Sequence, residues 1–91
     1  MSVPKRVNAS GVVSSAENPF FIESASVHGD AASVLEIYDG TSPDGKLIAI
    51  LACAANGSDH KNEINYNCTQ GCYAVLTATG AGYGVGLIYQ R

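Results

Sequence analysis

The sequence predicts an all-β domain, an antiparallel β-sandwich or jelly-roll-like small barrel of about seven short strands. Three observations carry this. No stretch holds a helical period over a helix-sized window. Apolar and aromatic runs recur at intervals of about ten residues, separated by Gly, Pro, Asn and Asp. Apolar residues make up 46% and charged residues 14%, which is too apolar for a disordered chain. With 91 residues, the chain makes one domain, 1–91, with a thin core that buries roughly 60–65% of the unfolded surface.

The first element is an extended N-terminal arm over residues 1–8. Its residues are small and basic. Pro4 lacks a backbone donor and disfavours helix at Val3, while Lys5 and Arg6 offer charge to an acidic neighbour. "RVNASGVVSS" (6–15) reads as the first strand, with Gly11 as a bulge. After the turn "AENP", "FFIESASVH" (20–28) reads as the second. Adjacent strand residues point to opposite faces, so one of Phe20 and Phe21 enters the core and the other needs a cover.

"SVLEIYD" (33–39) alternates, with Val34, Glu36 and Tyr38 on one face and Leu35 and Ile37 on the other. "KLIAILACA" (46–54) is apolar on both faces and reads as a central strand covered on both sides. Between them, Ser42-Pro43-Asp44-Gly45 fits a type I turn. This turn pins the register, since a slip by one residue would turn Leu35 and Ile37 outward. "ANGSDHKN" reads as the longest polar loop. "EINYNC" (63–68) and "CYAVLTAT" (72–79) read as a hairpin across Thr69-Gln70-Gly71. "GYGVGLIYQ" (82–90) closes the series.

Charge narrows the function classes. The net charge is −3 with only five Lys and Arg, and nucleic-acid binding needs clustered cations. Lys5, Arg6 and Arg91 lie near the termini, and Lys46 and Lys61 stand alone. No apolar run is long enough to span a membrane. The N-terminal residues lack a signal-peptide pattern, so synthesis and assembly are expected in a cytoplasm. The odd count of three cysteines suits a reducing compartment.

No constellation points to catalysis. "TGAGYGVGLIYQ" fails as a dinucleotide fingerprint, because the third glycine position holds Val85 or Leu87. As a strand, its alternating Gly80, Gly82, Gly84 and Gly86 leave one face bare. An aromatic of the same chain, such as Phe20 or Tyr73, or a neighbouring subunit would lie on that face. Cys53, Cys68 and Cys72 read first as buried thiols acting as small hydrophobes. A Cys68–Cys72 disulfide and a zinc site with His28 or His60 stand behind that reading. Turn formation accounts singly for Asp30, Asp39, Asp44 and Asp59, where calcium would need several to converge. Ser14 and Ser15 sit in no nucleophile motif. The expectation is therefore a non-enzyme with no cofactor and no metal.

Read in order, "GVVSS", "FFIESASVHG", "VLEIYDGTSPDGKLIAIL" and "GLIYQ" resemble the small all-β virion proteins of tailed bacteriophages. The resemblance spans most of the chain and rests on turn-forming residues. It implies a structural protein of the particle: a capsid cement (decoration) protein bound to the major capsid protein shell, or a tail- or fibre-associated module that recognises a protein or carbohydrate. It also implies a homo-oligomer, with a trimer expected, and a virion location. The middle stretch "VLEIYDGTSPDGKLIAILAC" is similar to part of a CUB domain. That would give Asp39 a calcium and Cys53 a disulfide, but the cysteine count and the short length depart from the pattern. The interface candidates are Lys5, Arg6, Phe20, Phe21, Tyr38, Tyr83 and Tyr89. They are surplus aromatics and basic residues in a chain whose low charge implies surface turned toward something other than water.

Overall fold

The computed structural model describes residues 3–14, 20–78 and 82–90. Two antiparallel sheets pack face to face as a β-sandwich, without helix among the described residues. Nine strands are present there: β1 (Val3–Val7), β2 (Gly11–Ser14), β3 (Phe20–Gly29), β4 (Ser33–Asp39), β5 (Lys46–Cys53), β6 (Gly57–Lys61), β7 (Tyr66–Cys68), β8 (Cys72–Ala78) and β9 (Gly84–Gln90). The first sheet runs β1-β9-β3-β6, with β7 also on β3, and the second runs β2-β8-β4-β5. The turn expected at residues 16–19, and Ser15, Gly80 and Arg91, lie outside the described residues.

Alternation builds the core. Leu35 and Ile37 of β4 are fully buried, and their partners Leu51 and Ala49 on β5 are buried with them. Phe20, Ile22, Ala25, Val27 and Ile88 supply the facing side from the first sheet. On β3 the inward positions shift phase between Ile22 and Ala25. The register shift between Ile22 and Ser24 accounts for this. Glu23 is the extra residue, and its carbonyl accepts from the Ile64 amide at 2.9 Å instead of joining the ladder. One bulge thus keeps a ten-residue strand facing the core along its whole length.

The hairpin of β4 and β5 forms with the expected turn, but the turn does not pin the whole register: Ile48 is an extra residue between the Tyr38–Leu47 and Ile37–Ala49 pairs, and this shift turns Ala49 and Leu51 inward beside Ile37 and Leu35. Gly45 N donates to Ser42 O at 3.2 Å, closing the turn. A Cβ on Gly45 would stand 2.3 Å from the Asp39 carbonyl oxygen, so the turn needs glycine there.

Several expectations need correction. Residues 3–7 are not a free arm, because they form edge strand β1 on β9, with Pro4 opposite Tyr89. The stretch 6–15 is not one strand. It breaks at residues 8–10 and passes between sheets, β1 joining β9 and β2 joining β8. The bulge falls between Val12 and Ser14, not at Gly11. β5 is the outer strand of its sheet, not a central one. The loop "ANGSDHKN" contains β6, which pairs with β3. β7 and β8 are not a hairpin: β7 joins β3 while β8 joins β2 and β4, so the chain crosses between the sheets at residues 69–71.

The bare glycine face of β9 is filled from within the chain by β4, not by an aromatic. A Cβ on Gly84 would stand 2.4 Å from Ser33 Oγ, and one on Gly86 would stand 2.9 Å from Leu35 Cδ2. The two sheets approach closely here because these positions have no side chain.

Candidate functional site

The outward face of the β2-β8-β4-β5 sheet is the most distinctive surface. Directly opposed residues of antiparallel strands share a face. Val12 lies opposite Tyr73, Val34 opposite Thr77 and Ala52, Glu36 opposite Val75 and Ile50, and Tyr38 opposite Tyr73 and Leu47. Their neighbours in sequence are the core residues, so this set faces outward. Val12, Ile50, Leu47 and Val34 are 55%, 51%, 42% and 37% exposed. Glu36, at the middle of β4, is the one charged residue in this set. Its carboxylate lies beside the Tyr38 hydroxyl. Burial first, and then the Glu36 charge, raise the Tyr38 pKa above its ordinary value.

The opposite surface has another character. Outward positions of the first sheet mix polar Arg6, Ser24, Ser26, His28, Ser58 and His60 with Phe21, Val85, Leu87 and Tyr89. Arg6 Nε donates to Asn8 Oδ1 at 2.9 Å, so its guanidinium is partly committed within the chain. The two outward faces differ, the second sheet's being mainly apolar and the first sheet's of mixed polarity. Scattered apolar residues are normal on a surface, but a contiguous apolar sheet face marks contact with another molecule.

The expected interface residues are not brought together. Phe20 is 2% exposed in the core, which removes it from any interface. Phe21 is half-buried opposite Asn67. Tyr38 lies on the apolar face. Lys5 and Arg6 are exposed on edge strand β1, and Tyr89 is half-buried beside it. Tyr83 stands apart, 56% exposed, at one end of the sandwich. The residues that form the face, Val12, Val34, Leu47 and Ile50, were missed. The signal was present, since "KLIAILAC" is apolar at every position but its first. An apolar run reads as two covered faces, and here only one face is covered within the chain.

At the end of the sandwich where Tyr83 stands, a cleft of about 390 Å³ opens between the segments 28–30, 56–58 and Tyr83. Asp30 Oδ1 accepts from the Tyr83 amide at 2.6 Å, and Ala31 N donates to Tyr83 O at 3.4 Å. Gly57 N donates to Ala54 O at 2.9 Å, closing the turn on the other wall.

The remaining polar candidates hold the fold together. Asp39 is buried and accepts from Tyr66 Oη at 3.0 Å and Gln70 N at 2.9 Å. This bond raises the Tyr66 hydroxyl pKa. The carboxylate fastens the end of β4 to the crossing before β8. Asp59 Oδ2 accepts from Ala52 N at 3.1 Å and its Oδ1 from His60 N at 2.9 Å, tying β6 of one sheet to β5 of the other. These backbone donors, Ala52 first, lower its pKa.

Cys53, Cys68 and Cys72 are free thiols. Cys68 and Cys72 are buried in the core, and a hydrogen bond between the two thiols, with burial, pushes the Cys72 thiol far up. Among the described residues no group of three or more His, Cys, Asp or Glu is placed to hold a metal.

Neither the models of known protein families nor the curated proteins contain a match to this chain.

Proposed function

We propose that this chain is a non-enzymatic structural protein of a bacteriophage particle, a capsid cement (decoration) protein that binds the major capsid protein shell through the outward face of the β2-β8-β4-β5 sheet. The observation that carries the reading is that face: four exposed aliphatic side chains on one sheet, opposite a sheet of mixed polarity. Burying each half-exposed aliphatic would contribute about 1 kcal/mol. A rigid hairpin and sheet lose little entropy on docking. Repetition over the copies on a shell multiplies a modest contact into firm attachment.

Glu36 bears on what sits there. Two copies meeting face to face about a two-fold axis at the sheet centre would bring two carboxylates together in an apolar contact, which is unfavourable. The face therefore suits a different surface, and a trimer of this chain would be built from its edges.

The test is occupancy of purified particles by parent protein and by an Ile50→Asp variant, read by electron microscopy and quantitative gel. The parent is expected on the shell. The variant is expected to stay folded but to lose up to about 1 kcal/mol, because Ile50 is half-exposed while the new carboxylate stands opposite Glu36, and to be lost from the shell. A parent absent from particles, or an Ile50→Asp variant bound as well as the parent, refutes the proposal.

A further inference from the structure

We propose that the cleft between residues 28–30, 56–58 and Tyr83 is a saccharide subsite, separate from the apolar face and on the other sheet. Its size lies at the small end of ligand sites, whose volumes run roughly 300–1,000 Å³, and it opens at the surface, as a site for an exposed sugar residue requires.

The lining decides the ligand class. Asp30 is acceptor-only when ionised and has lone pairs beyond the one its Oδ1 gives to the Tyr83 amide. It asks for hydroxyl donors. Asn56, Ser58 and His28 line the same space and can both give and receive hydrogen bonds. Tyr83 adds an exposed ring with an apolar face and a polar tip. A pyranose matches this set, with hydroxyls for the carboxylate and amide and a C–H face for the ring. Asp30 disfavours phosphates and other anions by repulsion. A purely apolar ligand would leave these polar groups unpaired.

The walls are already set. Tyr83 is held on both sides, its amide donating to the Asp30 carboxylate and its carbonyl accepting from the Ala31 amide. Gly82 makes this closeness feasible, because a Cβ there would stand 2.4 Å from Asp30 Oδ1 and 2.7 Å from the Ala31 Cβ. The cleft lies at the end of the β3-β6-β9 surface, so a molecule seated on a shell through its other sheet keeps the cleft free. The assignment does not depend on the shell reading.

The experiment is a titration of the ¹⁵N-labelled chain with methyl glycosides of galactose, glucose, mannose and N-acetylglucosamine, with adenosine monophosphate as the contrasting probe. Amide shifts are expected for at least one glycoside, confined to residues 28–30, 56–58 and 82–84. Asp30→Asn retains an oxygen for the Tyr83 amide but loses the charge, and should weaken binding about tenfold or more. Tyr83→Ala should abolish binding and Tyr83→Phe should retain it, all three variants melting with the parent. The assignment is overturned if no glycoside shifts these amides at tens of millimolar, if the shifts map elsewhere, if Asp30→Asn binds as the parent does, or if the nucleotide alone binds.

Discussion

Gly86→Ala tests the closest approach between the two sheets. A methyl group at residue 86 would stand 2.9 Å from Leu35 Cδ2 and 3.2 Å from Leu35 Cδ1. Carbon atoms at optimal separation are about 3.5–4.0 Å apart, so Leu35 must withdraw by roughly 0.5–1 Å. Its terminus could swing away on an open surface, but Leu35 is fully buried among close-packed neighbours. Overpacking of this kind costs about 1–3 kcal/mol. Alanine recovers about 0.4–1 kcal/mol by restricting the unfolded chain, which leaves a net loss of up to about 2.5 kcal/mol. For a domain of this size that is a fall in melting temperature of up to about 20 °C. Leu35→Val removes both Cδ atoms. Its own cost is about 1 kcal/mol for the lost methylene, and combined with Gly86→Ala it should show a favourable coupling of about 1 kcal/mol. Thermal and urea unfolding of the four proteins measure the cycle. Strictly additive effects in the cycle would refute the packing of β9 on β4.

Three further outcomes follow from the polar groups. Asp39→Ala should cost about 2–3 kcal/mol in urea unfolding, since it strands the Tyr66 hydroxyl and the Gln70 amide, while Asp39→Asn, which keeps an acceptor, should cost less. Asp59 has a lowered pKa, so its contribution is present above the ordinary carboxylate value of about 3.9 and is lost as pH falls through the lower folded value. NMR titration should find it ionised below that ordinary value, and Asp59→Asn should flatten the acid limb of the stability curve. Alkylation in denaturant without reductant should label all three cysteines, and in the native state Cys72 should react more slowly than the half-buried Cys53, as a buried thiol of raised pKa requires. Loss of two thiols in the denatured sample would show a disulfide instead.

The β1 pairing also changes what a truncation can show. Removing residues 1–6 takes away most of a strand paired along β9, so the deletion should lower the melting temperature. A free arm would leave it untouched, which makes the melt a direct test of β1.

The sequence alone determined the fold class and the local pieces. Alternation placed Leu35 and Ile37 inside, and the Ser42–Gly45 turn closed the β4–β5 hairpin, because both depend on residues within one hairpin, while the register shift at Ile48 was not legible in the pattern. The bounds of β4, and most of β3 and β9, follow from the same short-range pattern. Tertiary structure decided where those pieces stand. The same apolar run in β5 can be a central strand or an edge, and only the neighbours available in space make it an edge with Leu47 and Ile50 uncovered. β6 is polar enough to pass for a loop, and it is a strand because β3 presents a free ladder to it. β7 and β8 look like a hairpin, but Gly71 at φ +108° and Asp39 reaching to Gln70 carry the chain across to the other sheet. The cleft has no sequence signature, since its walls are three segments far apart in the chain. Pattern is read along the chain over a few residues, while edge, face and cleft are properties of long-range pairing, and no short-range preference encodes which strand will be left without a neighbour.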